Sequence, residues 1–264
     1  MTRPEWAPDD IDISVPSAAR MYDYYLGGAH NFAVDRELAE KALRAMPDGR
    51  ALARANRAFL QRSVRFLTRA GIRQFLDIGS GIPTVGNVHE VAQGIAPDAR
   101  VAYVDIDPIA VSHARALLAG NPGAVALRGN LREPDRILAD PALRELFDLD
   151  RPVAVLLLAV LHFVADRPDA IIGTLRDALA PGSYLVISHG TDEGRSTEEL
   201  ERVYRNTVTP LAMRDRGRVR ALFAGFELLE PGVVWAPQWH PDQPEDVGTK
   251  PERSGSYVGV GRRP

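Results

Sequence analysis

The chain has 264 residues, 45% of them hydrophobic and 25% charged, with a formal net charge of -3 and no cysteine. That length suffices for a sizeable core, while the lack of thiols excludes disulfides, thiolate catalysis and cysteine-ligated metals. The 32 Lys and Arg nearly balance the 35 Asp and Glu, which argues against a nucleic-acid partner. The longest apolar run, 153–161, is too short to cross a bilayer.

Residues 1–15, rich in Asp, Glu and Pro, read as a loose arm. Without the apolar core of a signal peptide, they lead to the expectation of a cytoplasmic protein with no membrane partner. An aromatic, glycine-bearing segment follows at 20–32, then a helix predicted over 35–46 with Asp35 as its cap. A second helix is predicted over 52–70 and ends at Gly71. From there the period changes. Short, bounded apolar runs at 74–78, 100–104, 124–127, 153–159 and 183–188 read as strands. Helical stretches separate them at 84–95, 108–119, 134–147 and 168–179. Strands this apolar on both faces, alternating with helices, predict an α/β fold with a parallel sheet covered by helices. A helical pair at 196–207 and 216–224 comes next, and 226–235 with 256–262 is predicted to form a terminal hairpin. The division expected is an arm and helical lid over 1–71, packed on a core of 72–264.

Three strand ends carry chemistry. The first strand runs into Asp77-x-Gly79-x-Gly81, with a helix expected to start near Thr84. Glycines at such a turn let the backbone fold tightly and approach a ligand. The dinucleotide fingerprint needs a third glycine where Thr84 stands, which disfavours a nicotinamide-dependent oxidoreductase. Asp77 suits a ligand with a cationic amino group. Asp105 closes the second strand, 24 positions past Gly81, near the offset at which an acid receives ribose hydroxyls. Asp107 is better placed to cap the helix that Pro108 opens. Asn130 taken alone is more often a turn residue than a ligand, but its place after the third strand lets it offer an amide oxygen to an adenine amino group.

These sites, in this order, resemble the class I S-adenosylmethionine-dependent methyltransferases. Residues 20–32 (ArgMetTyrAspTyrTyrLeuGlyGlyAlaHisAsnPhe) and 74–84 (GlnPheLeuAspIleGlySerGlyIleProThr), with 56–65, 87–93, 159–166 and 180–189, resemble one family in particular. It is the actinobacterial S-adenosyl methyltransferase family, long filed as a domain of unknown function. The resemblance implies a Rossmann-like fold with a mostly parallel seven-stranded sheet, a C-terminal antiparallel hairpin and an N-terminal helical extension. It implies S-adenosyl-L-methionine as cofactor, S-adenosyl-L-homocysteine as product and a small-molecule acceptor. It also implies the placement of the cofactor: its methionine part against Asp77, Gly79, Ser80 and Gly81, its ribose on Asp105 beside Ile106, and its adenine on Asn130 and Leu131. Ala159, Val160 and Leu161 would form the floor.

For chemistry, His162 and His189 follow the fourth and fifth strands and are the candidate general bases. Tyr22, Tyr25, His30 and Asn31 belong to 18–36, a segment expected to cover the cofactor as a lid, where aromatic rings give flat apolar cover. Arg57, Arg62, Arg65, Arg69 and Arg73 read as a solvated helix face, and Arg214, Arg216, Arg218 and Arg220 as a surface loop. No His/carboxylate cluster has metal-ligand spacing. A protein that binds the same nucleoside without turnover would need the same pocket and is the alternative reading.

Overall fold

The computed structural model describes residues 12–84, 86–194, 197–205 and 211–264. Among the described residues three helices come first: α1 (Ala18–Tyr25), α2 (Ala33–Ala45) and α3 (Gly49–Arg69). Strands and helices then alternate: β1 (Gln74–Ile78), α4 (Val88–Gln93), β2 (Arg100–Asp105), α5 (Pro108–Leu117) and β3 (Ala124–Arg128). Two short helices, α6 (Pro134–Leu138) and α7 (Pro141–Leu146), lead to β4 (Ala154–Leu158), α8 (Pro168–Ala178) and β5 (Tyr184–Gly190). The chain closes with α9 (Glu198–Arg205), α10 (Arg216–Ala221), β6 (Glu227–Leu228), β7 (Val234–Trp235) and β8 (Ser256–Arg262). Residues 1–11 of the expected arm, and Ser196, Asn206 and Thr207 of the helix expected over 196–207, lie outside the described residues.

Five strands run parallel in the order β3-β2-β1-β4-β5, and β8 lies antiparallel beside β5. The pleat sends alternate residues to opposite faces, so both faces must be apolar. Leu76 and Ile78 join a core with Leu143, Ile172 and Val219 on one side; Phe75 meets Phe59, Val88 and Val111 on the other. All five residues of β1 and of β4 are buried, which is why these runs read as continuous rather than alternating.

Several sequence expectations shift for local reasons. The expected hairpin is more elaborate, because 226–235 splits into β6 and β7 around a turn in which Gly232 N donates to Leu229 O and Pro231 offers no N–H. Both short strands pair along one edge of β8, giving an eight-stranded sheet rather than a seven-stranded one. Asp35 does not cap α2 from outside; it sits in the first turn, where its carboxylate accepts from Phe32 N (2.8 Å). The helix expected from Thr84 starts at Val88. Gly86 has a φ of +75°, and Asn87 Oδ1 accepts from Thr84 N while Glu90 accepts from Asn87 N. Pro108 and Asp107 behave as expected: Asp107 Oδ1 accepts from Ile109 N at 2.8 Å and caps α5.

Candidate functional site

A cavity of about 570 Å³ opens at the carboxyl ends of β1, β2, β3 and β4, where open α/β sheets bind ligands. The backbone after β1 makes its floor. Gly79 has a φ of +76°, and a Cβ there would stand 2.5 Å from Val160 Cγ2, so both conformation and close approach demand glycine. Gly81 has a φ of +67° and donates its N–H to Asp105 Oδ2 at 2.7 Å. Asp105 Oδ1 accepts from Asp107 N at 2.8 Å. Asp105 therefore shapes the glycine turn, and each oxygen keeps a lone pair for a further donor. Next to it, Ile106 holds an apolar side chain 56% exposed against the cavity wall, a flat-ligand support.

Asp77 is 4% exposed, lines the cavity, and accepts no hydrogen bond from the described residues. Burial pushes its carboxyl up to about 7, against the pull of Arg57 and with help from Asp105. Asp105, also buried, is pushed up to about 6. Two buried acids whose burial outweighs the nearby Arg57 charge suit a ligand that brings positive charge. Ser80 and Leu131 also line the cavity, as does Asn130, whose Oδ1 accepts from Arg132 N at 3.0 Å in a tight turn. That oxygen retains a second lone pair.

Ala159, at the end of β4, has a φ of +53°, a strained value for a residue with a Cβ. A buried relay holds it there. Ala159 N donates to Ser188 Oγ (2.8 Å), and Ser188 Oγ donates to Asn56 Oδ1 (2.5 Å). Asn56 Nδ2 donates to Tyr22 OH (2.8 Å), which donates to Ala53 O (3.0 Å). Tyr22 and Tyr25 both line the cavity. Asn31 does not: its Nδ2 donates to Asp23 Oδ2 and Gly28 O, closing the turn between α1 and α2.

Of the two histidines, only His162, in a 3-10 turn at Leu161–Phe163, lines the cavity. His189 is fully buried in β5, where Nδ1 donates to Gly190 O and Nε2 accepts from Arg214 at 2.7 Å. It belongs to the scaffold and not to the cavity wall. Burial, His189 and Arg214 push His162 down to about 3, so it is neutral at physiological pH and a weak base. Arg214 is no surface residue: it donates to Leu161 O and Val164 O behind the site. Arg62 is likewise buried, donating to Ala236 O and Trp239 O. Arg57 leaves the solvated series too, since it lines the cavity and donates to Gly86 O. Asn56, Arg57 and Ser188 lie within segments that carried the family resemblance, but residue type alone did not single them out.

The model of the S-adenosyl methyltransferase family matches residues 4–264. A provisionally assigned methyltransferase from Thermobifida fusca YX is 44% identical, with a TM-score of 0.93 over 98% of this chain and 99% of that one. A DUF574 family protein from Streptomyces avermitilis MA-4680 is 39% identical, with a TM-score of 0.90 over 96% and 100%. Human N-acetylserotonin methyltransferase, solved with S-adenosylmethionine, is 14% identical, with a TM-score of 0.50 over 95% of this chain and 63% of that one; it shares the fold alone. No curated protein matches the sequence, and among the described residues no helix is long and apolar enough to cross a membrane. With its glycine turn, its two strand-end acids and a family match along nearly its whole length, the chain belongs to the S-adenosyl methyltransferase family and is an S-adenosylmethionine-dependent methyltransferase.

Proposed function

We propose that the 570 Å³ cavity holds S-adenosylmethionine on its sheet side and a small-molecule acceptor on its helical side. The observation that carries this is the convergence of Asp77, the Gly79–Gly81 turn, Asp105 and Ile106 on one cavity, with two acids whose burial outweighs the pull of nearby charge. Asp77 takes the cationic amino group, and Arg57 lies on the same wall to take a carboxylate. Asp105 receives the ribose hydroxyls, Ile106 packs against the base, and Asn130 with Leu131 meets the adenine edge. Gly79, Ser80 and Ala159 form the floor, while Tyr22 and Tyr25 of α1 cover it. The bound nucleoside supplies an electrophilic methyl group; the chain's own residues orient it, exclude water and hold the acceptor in line. The helices between residues 12 and 71 serve as the cover, and the described residues of 72–264 as the binding core.

Calorimetry tests the reading. S-adenosylhomocysteine should bind and NAD should not, because Thr84 replaces the third fingerprint glycine. Asp105→Ala should weaken nucleoside binding by at least about 1.5–3 kcal/mol, since it removes a charged acceptor and the tie to Gly81. NAD binding without a response to S-adenosylhomocysteine would overturn the assignment.

A further inference from the structure

Beyond Ala159 the cavity wall changes character. Tyr25, Met46, Phe163, Tyr204 and Met213 line it, with His162 among them. Aromatic and thioether side chains form a soft, polarizable surface that favours flat rings over chains or charged groups. Tyr25 OH lies 3.4 Å from Tyr204 OH, and the Phe163 and Tyr204 rings stand with centroids 6.0 Å apart. None of these side chains is charged at neutral pH: burial pushes both tyrosines up and His162 down.

One backbone contact favours a particular orientation and tautomer of His162. Its Nδ1 lies 3.4 Å from Gly190 N, which favours the neutral tautomer with the proton on Nε2. The His189 ring stands beside it, centroids 5.7 Å apart, and Arg214 donates to His189 Nε2. This arrangement favours a neutral His162 and opposes proton uptake. No described group bonds Nε2 of His162, leaving an N–H donor on a residue of the cavity wall.

We propose that this half of the cavity is an acceptor site for a largely apolar, ring-bearing small molecule, and that His162 orients it by donating Nε2–H to a hydrogen-bond acceptor on the ring. The proposal rests on the reading of the sheet-side half as the nucleoside site. His162 is then a binding donor and not a general base, and nucleophiles that need no proton removed by the protein are favoured.

Two probes of equal shape test it on the full-length protein saturated with S-adenosylhomocysteine: quinoline, uncharged at pH 8, and naphthalene, which lacks the accepting nitrogen. Quinoline should bind about two- to tenfold more tightly, the range of one neutral hydrogen bond. His162→Phe should erase that preference, and His162→Gln, which keeps an N–H donor, should retain part of it. Nucleoside binding, measured in parallel, reports whether each variant is folded. Independently of any variant, imidazole nitrogen NMR of the wild-type protein should show His162 as the Nε2–H tautomer from pH 5 to 8. Equal affinity for the two probes, no binding of either, a preference that survives His162→Phe, or titration of His162 near pH 6.5 would each overturn the proposal. If S-adenosylhomocysteine itself fails to bind, the underlying nucleoside assignment has failed, and the acceptor site falls with it.

Discussion

Asp77 lies near the end of a buried strand, where burial outweighs the pull of Arg57 on its carboxylate, and its chemistry follows from that position. Its carboxyl is raised to about 7 from an ordinary 3.8, so without ligand it is half protonated near neutrality. A ligand with a cationic amino group selects the ionised form, and below pH 7 the proton must first leave. The affinity for S-adenosylhomocysteine should therefore rise between pH 5.5 and 8, by up to about tenfold per pH unit below the carboxyl's own pKa. Asp77→Asn should bind weakly and with a flatter pH profile, as calorimetry across that range would report. Stability has the opposite sign. A raised carboxyl pKa favours the fold fully below about pH 4, and that contribution is lost as pH rises through 7. Asp77→Asn should thus raise the melting temperature of the unliganded protein at pH 8 by several degrees, and by much less at pH 5. The depressed histidines His162 and His189 titrate with the reverse sense, so the variant-minus-wild-type difference isolates Asp77. Asp77 and Asp105 were legible in the sequence because an acid at a strand end beside glycines has few other uses. Arg57 and Asn56 were not, because on a helix their types read as solvated until the sheet is placed beside them.

At the level of elements, α1 is fixed by an ion network invisible in the order of residues. Arg20 is buried at 3% exposure, with Nε donating to Asp35 Oδ2 (2.9 Å) and Nη1 to Asp107 Oδ2 (3.2 Å). It joins the cover to the cap of α5, 87 positions away, next to Asp105 and Ile106. Arg20→Met keeps the length and apolar stem but leaves Asp35 and Asp107 without their cation. It should destabilise the protein by about 3–5 kcal/mol, the scale for breaking a buried pair, which urea unfolding would measure. A loss under about 1 kcal/mol would show that water replaces the guanidinium there. The strands were readable because double-sided burial imposes an apolar run. Arg20, Arg62 and Arg214 were not, since their partners are carboxylates and carbonyls brought near only by tertiary folding. The starts of α2 and α4 moved for a smaller reason: side-chain acceptors in the first turn competed with the expected cap.

For the molecule as a whole, the division near residue 71 does not separate two cores. Phe59 of α3 packs in one cluster with Phe75 of β1 and Trp239 of the C-terminal region. Trp239 meets Phe59 and Phe66 edge-on at 5.4 and 5.5 Å, and Arg62 ties its carbonyl to α3. Thermal unfolding followed by far-UV circular dichroism and by tryptophan fluorescence should therefore give one coincident transition. S-adenosylhomocysteine at a hundred times its dissociation constant should stabilise that single transition by about 2.7 kcal/mol. Two transitions, with only one responding to ligand, would mark the N-terminal helices as an independent unit.

β8 follows every other strand in chain order, yet it lies between β5 and the short pair β6 and β7, with all seven of its residues in register against β5. During synthesis, the polar edge of β5 thus waits uncovered while everything ahead of it is already made. A message stopped before Ser256 would release a chain whose most apolar region ends in an open strand edge, and such edges recruit other strands. Early termination should then send the product into aggregates and clearance by proteases, rather than yield a shortened enzyme with partial activity.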